Sequence, residues 1–195
     1  MHSRQGEIIA MNSLDQNTEI RALADRAALT DLVTLWCRAL DRGDLALLRK
    51  IFHDDAEIDC GTLYRGSIDG FLKGDREEMV AQRVGFKIGI HMVLNTLFAI
   101  DGDRAEGEIY SLAFEEWGEP HGQLQAIMGR YLDRYERRAG MWRISHRTIL
   151  TDMKSHLPGL DQDRPDPLRA LDLRGKFQDP ADASFAFQLL AGLSK

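Results

Sequence analysis

Four long strand-like segments, joined only by short turns, constrain the fold of this chain more than any other feature. The linking stretches "DGD", "GEPHG" and "RAG" contain the glycine and polar residues that hairpin turns prefer. We therefore expect an antiparallel meander, which must be covered by a second layer on its apolar face. The predicted strands run from Ile88 to Ile100, Arg104 to Trp117, Gln123 to Arg138 and Met141 to Asp152.

Helical patterns precede these strands. From Glu19 to Arg49 the apolar residues recur at three- and four-residue spacing, and "DRGD" divides the segment into a long helix and a short second helix "LALLRKIF". A short strand pair is expected in "AEIDCGTLYRG", and a third helix from Ser67 to about Phe86. The predicted class is α+β, with helices packed on one face of a curved sheet. The apolar helix face comprises Leu29, Leu32, Val33, Trp36 and Leu40.

Composition divides the chain into three parts. Residues 1–18 are polar and aperiodic and are expected to form a flexible arm, and residues 19–155 form the α+β domain. Residues 156–195 contain a proline-rich stretch and then a short helical pattern. This extension is expected to wrap the domain or a neighbouring subunit, or to be disordered.

Charge and composition exclude several classes of function. A formal net charge of −6 argues against nucleic acid, which is bound through clustered Lys and Arg. The chain has neither a membrane-length apolar run nor the pattern of a signal peptide, so we expect a soluble, cytoplasmic protein without a membrane partner. Cys37 and Cys60 form no CxxC pair, and the dinucleotide, P-loop and HExxH motifs are missing. We therefore expect no cofactor and no metal, and chemistry limited to proton transfer by side chains.

The first candidate site residues are His91 and Asp41. His91 lies near the start of a long, mostly apolar strand, in "HMVLNT", and Asp41 lies four residues after Cys37, at the edge of the apolar helix face. A carboxylate that accepts from one imidazole nitrogen fixes the ring tautomer and makes the other nitrogen more basic. His91 is then a candidate general base, although a hydrogen-bonded core histidine and a helix-terminal aspartate remain the alternative.

The other candidates depend on strand parity. His146 and Arg147 are adjacent on one predicted strand, so only one of them should enter a pocket, and alternation from Trp142 and Ile144 places His146 on their face. Asp133 is expected to add a carboxylate to the site or to pair with an arginine.

Two further groups are less specific. Tyr64 is either a hydrogen-bond donor to a developing oxyanion or a half-buried strand residue. "HDD", residues 53–55, is expected to cap and turn at a helix–strand corner rather than to bind a metal.

Taken together, "DRGDLALLRKIFHDDAEI", "LYRG", "IHMVLNTLFAIDGDRAEGE" and "YERRAGMWRISHRTI" resemble the nuclear transport factor 2-like superfamily, in its SnoaL-like and scytalone dehydratase-like branch. The closest pattern is that of the lindane dehydrochlorinases. The resemblance covers roughly residues 20–155 and implies a cone-shaped sheet, with Asp41, His91 and Arg147 lining one pocket. It also implies a homo-oligomer, with a trimer favoured. Trp36 stands where the dehydrochlorinase pattern has a cationic side chain, which favours an aromatic or polycyclic substrate.

The function implied by this resemblance is a cofactor-independent lyase. Its reaction would be a dehydratase-type β-elimination by His91 and Asp41 on a hydrophobic hydroxylated compound, as in aromatic compound catabolism. Trp36, His146 and Asp133 would contact the substrate, while Arg147 and Tyr64 stabilise negative charge. Two alternatives stay open, namely a lyase that releases formaldehyde from a lignin-derived diaryl alcohol, and a non-catalytic binding protein or ring-hydroxylase small subunit.

Overall fold

The computed structural model describes residues 16–73, 88–117 and 123–157, which form three helices and one six-stranded sheet. The sheet is mixed and unclosed, with strand order β2-β1-β6-β5-β4-β3, and only β1 and β6 pair in parallel. The predicted α+β class is confirmed. The elements are α1 Gln16–Arg42, α2 Leu45–Lys50, β1 Phe52–Asp59, β2 Arg65–Ser67, α3 Ile68–Lys73, β3 Ile88–Asp101, β4 Arg104–Trp117, β5 Gln123–Arg138 and β6 Met141–Leu157.

The core lies between α1 and the inner face of the sheet. The predicted apolar face of α1 is buried as expected, with Leu29, Val33 and Trp36 almost completely inaccessible to solvent. Two hairpins of the meander are confirmed as well. Gly102 follows β3 with a φ of 58°, and Gly140 precedes β6 with a φ of 79°, the left-handed conformation that tight hairpin turns require. The "GEPHG" connection lies outside the described residues.

A β-bulge changes the alternation of β6 in its first half. Ile144 pairs with Tyr135, but His146 pairs with Arg134, so one extra residue is accommodated at Ser145. Trp142, Ile144 and Arg147 are consequently buried on the inner face, whereas His146 lies on the outer face. The expectation that His146 shares the face of Trp142 and Ile144 is therefore wrong, because strict alternation fails at a bulge.

The "HDD" segment differs from its prediction. β1 begins at Phe52, so His53 to Asp55 lie within a strand rather than at a corner, because Phe52 is buried in the core and pairs with Ile144 of β6. His53 is buried, and its Nε2 lies 2.9 Å from the carbonyl oxygen of Glu136.

Several boundaries also differ, and some predictions fall outside the structure. α1 begins at Gln16, before the predicted boundary, and β6 continues past Asp152 to Leu157. α3 ends at Lys73, and the rest of the predicted third helix, the N-terminal residues 1–15 and the proline-rich extension from 158 lie outside the described residues. Within the described ranges, no helix has the length and hydropathy needed to cross a membrane.

Candidate active site

The C-terminal end of α1 positions Asp41. Gly43 takes a φ of 63°, and the amide of Asp44 donates to the carbonyl of Ala39 at 2.9 Å, which is the hydrogen bond that closes a helix in a Schellman motif. Asp44 then caps α2 by accepting from the amide of Leu47. These bonds fix the last turn of α1, which carries Asp41.

Asp41 contacts His91 through two hydrogen bonds. Its Oδ1 accepts from the backbone amide of His91 at 2.9 Å and lies 2.7 Å from the Nδ1 of the same residue. The carboxylate thus fixes both the strand and the ring, and it selects a proton on Nδ1. The structure brings together the two residues that the sequence singled out.

Glu115 is a third member of this cluster, which the sequence analysis missed. His91 pairs with Ala113 across β3 and β4, so Glu115 lies diagonally opposite on the same inner face, with its Oε1 3.3 Å from the imidazole Nε2. Alternation along β4 was the signal, because Ile109, Ser111 and Ala113 point inward and Glu115 continues their series. We call Asp41, His91 and Glu115 the cleft triad.

The surroundings of His91 raise its pKa. Burial is the largest single influence and acts to lower the pKa, but the hydrogen bonds to Asp41 and Glu115 and the charges of the two carboxylates outweigh it. The ring therefore stays protonated to a higher pH than an ordinary histidine.

A cleft of about 770 Å³ opens between α1 and β3 beside the triad. Its walls combine apolar side chains with charged residues of α1. In the portion of the chain that the structure describes, no group of three or more His, Cys, Asp or Glu residues is arranged to hold a metal ion. The lining residues are Asp31, Thr34, Leu35, Cys37, Arg38, Asp41, Arg42, His91, Met92 and Val93.

A second ionic cluster is sealed in the core. Arg147 donates from Nε to Oδ1 of Asp133 at 2.7 Å and from Nη2 to Oδ2, and both side chains are fully buried. Tyr135 donates its hydroxyl to the same carboxylate at 2.6 Å. Arg147 also lies over the rings of Trp36 and Tyr131, 4.5 Å from each centroid. We call Arg147 and Asp133 the core pair.

Burial governs the titration of the groups around the core pair. It raises the pKa of Tyr131 to about 12 and holds that of Tyr135 well above its usual value. Burial acts to lower the pKa of Arg147, but the charge and hydrogen bonds of Asp133 outweigh it. These groups therefore keep one protonation state at neutral pH. Nη1 of Arg147 is buried and has no acceptor among the residues that the structure describes.

A sequence model of the SnoaL-like domain matches residues 21–148. The chain belongs to the SnoaL-like domain family. A search of curated proteins finds no significant match.

Solved structures share this fold. LinA, a hexachlorocyclohexane dehydrochlorinase, aligns with a TM-score of 0.66 and 25% identity over 76% of this chain and 99% of its own. A proposed scytalone dehydratase from Novosphingobium aromaticivorans gives 0.60 and 17%, over 74% and 97%. The β subunit of a proposed aromatic-ring-hydroxylating dioxygenase from that organism gives 0.55 and 19%, over 68% and 92%.

In this SnoaL-like domain the remaining candidates do not line the cleft. Trp36 is packed against Phe52, Phe71 and Tyr131, so its indole fills the core rather than widening the cavity. Tyr64 donates its hydroxyl to the carbonyl of Ser67 at 2.9 Å, within the turn before α3.

His146 is also away from the cleft. It lies on the outer face of the sheet, where its Nε2 is 3.1 Å from the hydroxyl oxygen of Thr148.

Cys37 lies between the cleft triad and the core pair. It lines the cleft and is nevertheless buried. Burial, which is the main cause, raises the pKa of its thiol to about 12, while the charges of Arg147 and Asp41 act in opposite directions. At neutral pH Cys37 is therefore a thiol rather than a thiolate, and it separates the two ionic clusters.

Proposed function

We propose that this domain is a cofactor-independent lyase that carries out a β-elimination with His91 and Asp41. One observation carries the proposal: Oδ1 of Asp41 holds both the amide and the Nδ1 of His91, at 2.9 and 2.7 Å, beside an open cleft. A carboxylate–imidazole pair held in this way is a general acid–base device. The likeness to LinA, which is named as a dehydrochlorinase, supports elimination as the reaction class.

The proposed chemistry uses the other ring nitrogen. Asp41 engages Nδ1, so Nε2 is the atom of His91 that exchanges a proton with a substrate. Loss of water from a hydroxylated compound requires removal of one proton from carbon and delivery of one proton to the leaving oxygen. Positioned acid–base side chains can carry out both proton transfers, and they typically raise the reaction rate about 10²- to 10⁴-fold.

The proposed substrate is a hydrophobic hydroxylated molecule, of aromatic or polycyclic type. Leu35, Met92 and Val93 supply apolar contacts within a cavity of about 770 Å³, which lies in the size range of ligand pockets. Arg38 and Arg42 on α1 add positive charge to the same walls, which favours a substrate with a polar or acidic substituent.

Arg147 is sealed in the core and does not line the cleft, so it enters the proposal only as a buried positive charge that acts from behind Cys37. Tyr64 is bonded to Ser67 in the turn before α3 and does not line the cleft, so the proposal gives it no contact with the substrate. Trp36 and Asp133 then act by holding Arg147 in place, while His146 serves the outer face rather than the cleft.

The same triad could instead break a carbon–carbon bond. Removal of the O–H proton of a hydroxymethyl group would form the C=O bond of formaldehyde, and the electrons of the broken carbon–carbon bond would form a C=C bond and expel the neighbouring hydroxyl of a diaryl alcohol as water, with its proton supplied by His91 and no cofactor needed. A second class of function is ligand binding without catalysis, as a carrier or a small subunit, and the likeness to the β subunit of a proposed ring-hydroxylating dioxygenase favours it.

We also propose that copies of the domain associate as a trimer through the outer face of the sheet. Leu97, Glu108 and Leu132 form one row across β3, β4 and β5, and Leu97 is 68% exposed. Two exposed leucines on an open sheet face favour contact with a second chain. Analytical ultracentrifugation should detect a trimer that Leu97→Glu dissociates, and a monomeric wild-type protein would exclude this assembly.

Product analysis tests the proposed lyase. Chelator-treated protein is incubated with a panel of steroid, diaryl and halogenated alcohols, and products are identified by mass spectrometry. Asp41→Asn and His91→Ala are compared with Asp54→Asn and His156→Ala, which change the same residue types at exposed positions of β1 and β6.

Loss of water from a panel member supports the dehydratase, provided that both triad variants cut turnover at least about 100-fold and both controls retain it. Loss of formaldehyde under the same conditions selects the carbon–carbon lyase. A panel member that raises the melting temperature but is never converted selects the binding protein. Equal turnover in wild type and both triad variants would remove His91 and Asp41 from the mechanism.

A further inference from the structure

The imidazole of His91 lies between two carboxylates. Oδ1 of Asp41 is 2.7 Å from Nδ1, and Oε1 of Glu115 is 3.3 Å from Nε2. A neutral imidazole has only one N–H, so one of its nitrogens would turn a lone pair toward a carboxylate oxygen. Only the imidazolium, with a proton on each nitrogen, donates to both partners. The geometry therefore favours a charged ring in the resting domain.

The electrostatic surroundings agree with this reading. From α1, Asp31, Asp41, Arg38 and Arg42 face the cleft around His91, and from β4 Glu115 faces its second nitrogen. Only the two carboxylates of the triad contact the ring by hydrogen bonds or ion pairs among the described partners. Their effect on the pKa of His91 outweighs burial, which acts to lower it.

We infer that Glu115 is a further catalytic residue, which accepts from an imidazolium His91 at rest and removes the carbon-bound proton of the substrate during elimination. This inference rests on the proposed function and changes the assignment of roles within it. His91 begins the reaction as the general acid, and the base role expected of His91 passes to Glu115. Asp41 remains the residue that orients the ring.

The proposed cycle balances without a cofactor. The Glu115 carboxylate takes the proton from carbon, and the electron pair of that C–H bond forms the C=C double bond. The C–O bond breaks with its electrons going to oxygen, and the Nε2 proton of His91 completes the water molecule. Glu115 is then protonated and His91 is neutral. The proton passes from Glu115 to Nε2 across the contact that measures 3.3 Å at rest, which restores both groups.

The two contacts of the ring differ in a way that suits these roles. The 2.7 Å contact to Asp41 has the length of a strong charge-assisted hydrogen bond. The contact to Glu115 is longer and is therefore the one that a substrate hydroxyl can replace. Side-chain exposure of Glu115 is 14%, close to the 12% of His91.

A direct test is the titration of His91 by ¹⁵N nuclear magnetic resonance, with the signal assigned by its loss in His91→Ala. The titration is recorded for wild type, Glu115→Gln and Glu106→Gln. Glu106 lies on the outer face of the same strand, so its variant controls for removal of one negative charge. This measurement needs no substrate and reads the ring itself.

We expect the titration midpoint of wild-type His91 to lie above about 6.5, the ordinary value, so that both ring nitrogens are mostly protonated at pH 6.5. Glu115→Gln should lower that midpoint, and Glu106→Gln should leave it unchanged. A wild-type ring that is mostly neutral at pH 6.5, or a midpoint that Glu115→Gln does not move, would overturn the inference. The wild-type titration remains decisive even if Glu115→Gln fails to fold.

Turnover separates this inference from the proposed function. On the panel compound that loses water, Glu115→Gln should cut kcat at least about 100-fold, and Glu115→Asp should restore part of it. Full activity in Glu115→Gln beside inactive His91→Ala would reject the role of Glu115 and keep the lyase. Full activity in His91→Ala and Asp41→Asn would reject the lyase itself.

Discussion

The cleft triad and the core pair both place charged side chains on the inner face of one sheet, yet they differ in access to solvent. His91 and Asp41 keep side-chain exposures of 12% and 18%, whereas Arg147 and Asp133 have none. The triad can therefore exchange protons with a molecule in the cleft, while the core pair is out of reach of such a molecule. Paired charges therefore indicate an active site only where a substrate can also reach them.

Removal of the Asp41 carboxylate should have the largest effect. Asp41→Asn keeps an acceptor for the backbone amide of His91 but loses the negative charge beside Nδ1. We expect turnover of the identified substrate to fall about 10²- to 10⁴-fold, while the free energy of unfolding changes by less than about 1 kcal/mol. Steady-state kinetics and urea denaturation measure the two quantities. The triad would instead be a structural cluster if the loss in free energy of unfolding equalled the loss in transition-state stabilisation calculated from the fall in turnover.

The core pair should show the opposite behaviour. Asp133→Asn leaves the guanidinium of Arg147 buried without a counter-ion, and removal of one partner of a buried pair typically costs about 3–5 kcal/mol. Urea denaturation of this variant should show a loss of that size. The matched control is Glu106→Gln, whose exposed ion pair with Arg134 spans 3.7 Å and is worth at most about 1 kcal/mol.

A double variant sharpens this prediction. Replacing both partners, as in Arg147→Met with Asp133→Leu, removes the unpaired charge together with the pair. The double variant should unfold at a higher urea concentration than Asp133→Asn alone. A double variant less stable than the single one would show that the pair contributes net stability, rather than only offsetting the cost of burying its two charges.

A site residue could be predicted from the sequence when its signal lies within a short stretch of chain, and could not when it depends on how distant strands pair. Asp41 and His91 were found because a helix end and a strand start are local features, and the hairpins were marked by their own turn residues. Glu115 was missed because its contact with His91 depends on the register between β3 and β4, which sequence alternation alone does not fix.

The positions of His146 and Trp36 depended on features that sequence patterns do not show. A bulge at Ser145 turns His146 to the outer face, and the pattern of apolar residues along β6 does not indicate this bulge. Trp36 was correctly placed on the apolar face of α1, but its packing among three aromatic rings could not be read from that face alone.

The contribution of His91 to the pH dependence of stability should be a smaller effect. The pKa of His91 is raised in the folded state, so the stability it contributes is fully present below about 6.5 and is lost as pH rises through the folded pKa. The difference in unfolding free energy between wild type and His91→Gln should therefore shrink from pH 6.5 to pH 9. A difference that grows over this range would contradict the direction of the shift.

The smallest expected effect concerns Cys37, which separates the two clusters. With a pKa of about 12, the thiolate fraction at pH 8 is about 10⁻⁴, so the thiol should react slowly with a disulfide reagent. Measurement in the Cys60→Ser background isolates this residue. Reaction as fast in the native protein as in urea would mean that Cys37 is open to the cleft.

The most direct test is a crystal structure of Asp41→Asn with the panel compound that wild type converts or that raises its melting temperature. The account predicts that the compound occupies the cleft between α1 and β3, with its hydroxyl within hydrogen-bond distance of Nε2 of His91. A compound that is bound instead on the outer face of the sheet beside His146, with the cleft empty, would contradict the assignment of the cleft triad as the active site.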